Sequence, residues 1–214
     1  MFGISDGLVS NVGLILGVAG ADPGPGVVRV AGLAGLVAGA VSMAAGEYNS
    51  MKVQAELLER ELELERIQLR RNPHVETAEL SEIYESRGMD PEAARATAEA
   101  MMADPDLALE AHAREELGID PGSLGSPLAA AGSSLVAFSV GALVPLMPWF
   151  FGGGDAAVVA SLVLATVAAT VVGLVTSHLT ERSPVRTVTR QVLFTLVPAA
   201  LTYAIGSFVG VGGV

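Results

Sequence analysis

The sequence predicts an all-α integral membrane protein with five spans and a small helical module inserted between spans two and three. The chain is 51% hydrophobic with a mean hydropathy of +0.53, which is too apolar for an ordinary soluble domain. Its charge is concentrated, since residues 52–125 hold 18 acidic and 8 basic residues and so carry −10 of the total −11. An apolar stretch, 27–51, also continues directly into the stretch 52–71, which is rich in Glu and contains no Gly or Pro. One helix is therefore expected to leave the membrane and enter the acidic module.

We expect three regions: spans one and two in residues 1–51, the module in 52–125, and spans three to five in 126–214. The first span, FGISDGLVSNVGLILGVAGA, is about one bilayer thickness long and contains a single charge, Asp6. The prolines and glycines of ADPGPG predict a turn before the second span at Val27–Met51.

The module is predicted to be a bundle of short helices after a break at NPH, residues 72–74. Asp90 and Asp104 each precede a proline, the pattern of a capped helix start, while Gly88 and Gly118 suit helix ends. The segment DPGSLGSP, residues 120–127, reads as a linker back to the membrane.

The remaining spans are predicted at about 128–151, 156–178 and 188–211. Trp149 ends the third span, where we expect an interfacial aromatic residue. Three pairs of glycines at i and i+4 suit close helix packing, within one subunit or across a dimer: Gly13 with Gly17, Gly35 with Gly39, and Gly206 with Gly210.

Charge distribution predicts the sidedness. The arginine-bearing loop 182–190 and the Lys52–Arg71 end of span two fall on one side of a five-span topology, which the positive-inside rule makes cytoplasmic. Arg-rich, Lys-poor composition favours a prokaryotic cell membrane. The acidity excludes nucleic acid as a partner, and no catalytic constellation indicates an enzyme.

Three residues in the spans are candidates for ion chemistry: Asp6, Glu47 and Met43. Acidic residues within a span are costly, about 2.5–3.5 kcal/mol for Asp at a helix centre. Met43 and Glu47 are four residues apart, so a thioether and a carboxylate share a helix face and suit a first-row cation such as Fe²⁺. In the alternative interpretation Asp6 caps a helix, Glu47 extends to the surface and Met43 only packs.

The module carries acidic residues at helical spacing, together with His112 four residues before Glu116. The same-face acidic pairs are Glu61 with Glu65, Glu76 with Glu79, and Glu79 with Glu82. A divalent cation would relieve their repulsion. The alternative is a solvated surface with ion pairs such as Glu56 with Arg60 and Glu63 with Arg66.

Three motifs in this order resemble the vacuolar iron transporter family, VIT/CCC1: DGLVSNVGLILGVAGA, AGAVSMAAGEYNS, and an acidic insertion ending in AHAREELGI. The resemblance covers essentially the whole chain. It implies a homodimer of five-span subunits that moves Fe²⁺, and often Mn²⁺, out of the cytosol in exchange for protons. It also implies a translocation path lined by Asp6 and Met43. Plant members carry a further Glu where this chain has Gly35, and Glu47 is our expected substitute.

For the module, the resemblance implies metal binding by Glu65, Glu76, Glu79 and Glu116. Here Gln68 replaces a family Glu, and His112 and Ala113 replace a Met pair. His112 retains the capacity to bind a borderline metal.

These observations give the hypothesis of a proton-coupled exporter of Fe²⁺ and Mn²⁺ without a prosthetic group. The alternative is a metal-responsive membrane sensor or scaffold that binds divalent cations without moving them. Because a carboxylate must lose its proton to bind metal, an exporter of this kind would couple the two ions naturally.

Overall fold

The computed structural model describes residues 2–118, 120 and 125–211, and within them every regular element is a helix. The helices are α1 (Phe2–Gly20), α2 (Pro25–Arg71), α3 (Pro73–Ser86), α4 (Pro91–Met102), α5 (Pro105–Glu115), α6 (Pro127–Leu146), a short 3₁₀ helix (Met147–Phe150), α7 (Gly154–Thr180) and α8 (Pro184–Val211). The chain divides into two compact units, residues 1–48 with 128–214 (unit 1) and residues 49–127 (unit 2).

The predicted all-α class is confirmed for the described residues, and five helical segments there are long and apolar enough to cross a membrane, in agreement with the five predicted spans. They are Phe2–Gly20, the apolar part of Pro25–Arg71, Pro127–Phe150, Gly154–Thr180 and Pro184–Gly210. The apolar and acidic halves of α2 form one uninterrupted helix of 47 residues, as the absence of breakers predicts.

The core of unit 1 is organised around α1, which packs against α7 and α8. Leu8, Val12 and Leu16 of α1 are buried with Ala165, Ala169 and Ala199. Glycines let the backbones approach closely: a Cβ added to Gly206 would lie 1.8 Å from the carbonyl oxygen of Gly17. The small residues predicted for helix packing therefore act within one subunit at this crossing.

Trp149 lies near the end of the third candidate span, and its side chain is buried within unit 1; its interfacial position in the membrane stays a prediction. Its indole N–H donates to the Ser161 hydroxyl at 3.0 Å, and that hydroxyl donates to the Pro145 carbonyl at 2.7 Å. A buried indole needs an acceptor, and Ser161 provides one inside the unit, which explains why the ring turns inward.

Unit 2 comprises the second half of α2 together with α3, α4 and α5. The carboxylates of Asp90 and Asp104 accept hydrogen bonds from the first turns of α4 and α5, which confirms both predicted N-caps. Gly88 and Gly118 have φ of +96° and +65°, the left-handed conformation that glycine adopts freely after a helix. Arg87, just beyond α3, pairs with Glu115 at the end of α5. Residues 121–124 of the predicted linker lie outside the described residues.

The α1–α8 crossing predicts a steric penalty for Gly206→Ala. The added methyl group would collide with the Gly17 backbone, and overpacking of this kind costs about 1–3 kcal/mol. The control is Gly132→Ala in α6, where an added Cβ meets nothing within 4 Å. We expect thermal unfolding of the detergent-solubilised protein to show a lower Tm for Gly206→Ala and an equal or higher Tm for Gly132→Ala. Equal Tm values for the two variants would contradict this packing.

Candidate metal centre

Four side chains of unit 2 converge on one point: Glu65, Glu76, His112 and Glu116. Each offers one potential ligand atom, and the four atoms lie within 4.8 Å of one another. His112 Nδ1 is 3.3 Å from Glu65 Oε1 and 3.3 Å from Glu116 Oε2. Residues far apart in the chain thus present oxygen and nitrogen donors to a volume that a single cation would fill.

Three helices bring these side chains together. Glu65 lies on α2, and the break at Asn72 turns the chain so that Glu76 falls in the first turn of α3. His112 is in the last turn of α5, and Glu116 follows that helix at i+4, so the two share a face. The carbonyl end of α5 adds partial negative charge, which favours a cation at this position.

The centre is buried for a group of this charge. Only 3% of the Glu65 side chain and none of the His112 side chain is exposed. Within the described part of the chain, Glu65 Oε1 and His112 Nε2 have no hydrogen-bond partner, and the 3.3 Å approach of His112 to Glu65 lacks hydrogen-bond geometry. A buried carboxylate oxygen without a partner loses its hydration with no compensation, so a bound cation is a physically sensible partner.

Burial raises the pKa of Glu65 above its ordinary value of 4.5, and the neighbouring Glu116 carboxylate raises it further, while His112 acts in the opposite direction. Burial also raises the pKa of Glu76, with Glu79 as the next cause. Both shifts arise because negative charges are crowded where water is scarce. Protonation and metal binding are therefore alternative ways of relieving the same charge.

Glu79, the fifth predicted ligand of the module, is exposed and lies outside the group of four. Its charge nevertheless acts on the centre, since it raises the pKa of both Glu65 and Glu76. Gln68, at a position where the family has Glu, is exposed on α2. The geometry thus separates four residues that can share one ion from a nearby acid that adds to the negative field.

Some other acidic residues follow the solvated-surface interpretation. Glu63 pairs with Arg66 at 2.9 Å, as the spacing predicts. Glu56 pairs with Lys52 at 3.4 Å and not with Arg60, so that predicted pair is wrong. Glu61 is exposed on the same helix. Exposed pairs of this kind contribute about 0–1 kcal/mol to stability and need no metal.

The three residues predicted for a translocation path lie in unit 1. Asp6 is exposed on α1, with the Ser10 hydroxyl 3.5 Å from its carboxylate. Met43 is partly buried and packs against the cluster of Ala40, Phe138 and Ala142, while Glu47 is exposed on α2. No hydrogen bond or ion pair between described residues joins these three to one another.

The sequence interpretation missed Asn11, a buried polar residue of unit 1. Its side-chain N–H donates to the Ala142 carbonyl at 2.7 Å, whereas its Oδ1 has no hydrogen-bond partner among the residues that the structure describes. A Cβ added to Gly35 would lie 2.9 Å from that oxygen, so the small residue on α2 makes room for the amide. The available signal was a lone amide in an apolar span.

The chain is similar to known proteins over nearly its full length. A family model described as "VIT family" matches residues 1–207. The chain is 30% identical to vacuolar iron transporter 1 of Eucalyptus grandis over 98% of this chain and 84% of that protein. It is 33% identical to vacuolar iron transporter 2 of Oryza sativa subsp. japonica, over 86% and 75% of the two chains. Vacuolar iron transporter of Acanthamoeba castellanii is 41% identical over 69% of this chain and 52% of that protein.

These relatives agree with an integral membrane protein. They are named for the vacuole and come from eukaryotes, so they do not support the expectation of a prokaryotic cell membrane.

The raised pKa of Glu65 predicts a pH-dependent stability of the metal-free protein. A carboxyl group whose pKa is higher in the folded state stabilises the fold most below its unfolded pKa, and this contribution is lost as pH rises through the higher folded pKa. We expect Glu65→Gln to remove part of this loss. With chelator present, the Tm of Glu65→Gln should exceed that of the unaltered protein at pH 7, and the two Tm values should converge toward pH 4.

The matched control is Glu63→Gln, because Glu63 is an exposed acid on the same helix. Its Tm should follow the unaltered protein across the pH range within the small effect expected for a surface pair. If Glu65→Gln and Glu63→Gln have the same pH profile, the electrostatic strain assigned to the buried centre is absent.

Proposed function

Because this chain belongs to the VIT family, whose members are membrane transport proteins and not enzymes, we propose that it moves Fe²⁺ out of the cytosol in exchange for protons. Mn²⁺ is proposed as a second substrate. Unit 2 captures the ion on the cytoplasmic side and raises its local concentration. The observation that carries the proposal is the convergence of Glu65, Glu76, His112 and Glu116 within 4.8 Å.

The negative charge of the centre favours a bound cation. Three carboxylates meet one imidazole, and the buried Glu65 has an oxygen without a hydrogen-bond partner. Removing such charges from water costs several kcal/mol per ion in real proteins unless a counter-charge compensates. A dication supplies that counter-charge in one step, and the exposed Glu79 adds to the attraction.

The donor atoms of the centre favour some cations over others. Mg²⁺ and Ca²⁺ prefer shells of oxygen ligands, whereas imidazole suits first-row transition metals. His112 offers Nδ1 toward Glu65 and Glu116, so the donor set combines oxygen with a nitrogen ligand. This set supports Fe²⁺ as the substrate, in agreement with the names of the relatives, and it disfavours the abundant cellular cations Mg²⁺ and Ca²⁺.

Proton coupling follows from competition for the same oxygens. The pKa values of Glu65 and Glu76 are raised, so protons occupy these carboxylates at less acidic pH than in an isolated Glu. Each must be deprotonated to bind metal. The same competition at carboxylates of the membrane spans would let an acidic compartment displace the ion on the far side.

The proposed path in unit 1 consists of Asp6, Met43 and Glu47. Ionisable residues in spans usually face a protein interior or a water-filled path. In the single chain both Asp6 and Glu47 are exposed, and so are apolar residues of the same part of α2, such as Val37 and Val41. A homodimer that covers these faces would remove the carboxylates from lipid and enclose a path between two copies.

Metal titration of the full chain tests the capture step. Glu76→Gln should weaken binding of Fe²⁺, Mn²⁺, Co²⁺ and Zn²⁺ by at least about tenfold, since even outer-shell partners of metal sites typically contribute that much. His112→Gln replaces nitrogen with oxygen and should weaken Co²⁺ and Zn²⁺ more than Mn²⁺. Competition with a fluorescent chelator under anaerobic conditions measures both effects.

The charge-matched control is Glu99→Gln, an exposed residue of α4 that pairs with Arg95. It removes one negative charge from unit 2 and should leave affinity within about twofold, a difference of roughly 0.4 kcal/mol. If Glu99→Gln weakens binding as much as Glu76→Gln, the metal responds only to overall charge and the proposed ligand set is wrong.

Flux into proteoliposomes tests the transport step. Uptake of Fe²⁺ should require an imposed pH gradient and should fall by about tenfold or more in Asp6→Asn, because a neutral amide removes both the negative ligand and the titratable proton. The control is Asp22→Asn: Asp22 has φ of +52°, a conformation that Asn tolerates. Binding without gradient-dependent flux would favour the metal-responsive sensor, and full uptake by Asp6→Asn would exclude the proposed path.

A further inference from the structure

The start of α8 carries a basic groove. Ser183, Val185, Arg186, Thr189, Arg190, Leu193 and Phe194 line a cavity of about 470 Å³. The two arginines are four residues apart and so lie on one face of the helix, with Leu193 and Phe194 one further turn along that face. Along this face the two arginines therefore come first and the apolar residues follow.

The two guanidinium groups lack a counter-charge in the described part of the chain. No carboxylate lies within ion-pair distance of Arg186 or Arg190 there, although Glu181 is close in sequence. Among the described residues, some basic side chains of this acidic chain do pair with a carboxylate, for example Arg66 with Glu63, and others such as Arg60 and Arg70 do not. The groove thus holds two positive charges that repel each other at i and i+4 without an internal partner.

The helix itself adds to this repulsion. Arg186 is in the first turn of α8, where the exposed N–H groups and the helix dipole give partial positive charge. A cation is unfavourable at this end, and an anion is favourable. A bound anionic group would therefore relieve the repulsion between the arginines and that between Arg186 and the helix.

The apolar residues of the groove limit what the anion can be. Val185, Leu193 and Phe194 are 76%, 52% and 64% exposed, and α8 is one of the five candidate membrane spans. A small hydrophilic anion would leave this apolar surface unused. A phospholipid combines a phosphate, which guanidinium groups bind in bidentate fashion, with acyl chains that cover aliphatic and aromatic side chains.

We propose that the groove at the start of α8 binds an anionic phospholipid. Its phosphate lies between Arg186 and Arg190 and its acyl chain runs along Leu193 and Phe194. Arginines at the end of a span also orient it in the membrane, but that role needs only the charge of the segment. A specific lipid site depends on which arginines line the groove, and Arg182, in the same segment, is outside the lining.

Native mass spectrometry of the purified full chain tests the proposal. The protein is titrated with phosphatidylglycerol and with phosphatidylcholine of the same acyl chains. We expect tighter binding of phosphatidylglycerol by about tenfold, the difference expected for a charged hydrogen-bonded contact. Arg186→Gln and Arg190→Gln should each abolish this preference, and the double Lys variant, which keeps the charge, should retain part of it.

The matched control is Arg182→Gln, which removes one positive charge from the same segment and should preserve the preference. Excess inorganic phosphate should not displace the lipid. Equal binding of the two lipids, an equal loss in Arg182→Gln and Arg190→Gln, or full displacement by inorganic phosphate would each overturn the proposal. The Tm without added lipid identifies any variant that fails to fold. If one single variant fails, the lipid preferences of the other single variant and of the double Lys variant test the proposal. None of these binding measurements depends on metal transport.

Discussion

The burial of like charges at one point is the constraint on which unit 2 depends. Glu65 and His112 are almost completely enclosed, and the Glu76 and Glu116 carboxylates lie within reach of the same centre. Hydrophobic burial offsets little of this repulsion, because the fully buried apolar residues described in unit 2 are small, such as Ala94, Ala98 and Ala108, apart from Leu80. The fold and the centre are therefore coupled: whatever neutralises the carboxylates, a proton or a metal, also stabilises the packing of α2, α3 and α5.

Unit 1 is stabilised in a different way. Helices in a bilayer gain little from excluding water, so their association depends on close packing and hydrogen bonds. The α1–α8 crossing at Gly17 and Gly206 brings backbones into contact, and Trp149 with Ser161 forms a buried hydrogen-bonded pair. Charged groups stay at the surface of the single chain, where Asp6 and Glu47 are exposed. The core of α1, α7 and α8 leaves residues of α2 such as Val37 and Val41 exposed in the single chain.

Local features of the chain were predictable because local chemistry determines them. Asp90 and Asp104 cap their helices through their own side chains, and the Gly-free and Pro-free stretch of α2 stays one helix. The burial of Trp149 was not predicted, because it depends on Ser161, which comes from another helix. The partner of Glu56 was mispredicted, since Lys52 and Arg60 are both one turn away and spacing alone does not choose between them. The buried position of Asn11 was not predicted, because its contacts with Gly35 and Ala142 form only in the tertiary fold.

Residues of the metal centre could be found from spacing and family resemblance, but their grouping could not. The same arguments treated Glu79 like Glu76, but Glu79 lies nearly one turn further along α3, and only Glu76 has a carboxylate oxygen in the group with Glu65 and His112. This difference bears on how many ions the module holds. Three carboxylates balance one dication with charge to spare, whereas two dications within 4.8 Å would exceed the charge of the group. With Gln68 neutral and Glu79 outside the group, the three carboxylates of one chain would suit a single dication under the proposed function, and their surplus negative charge would attract it.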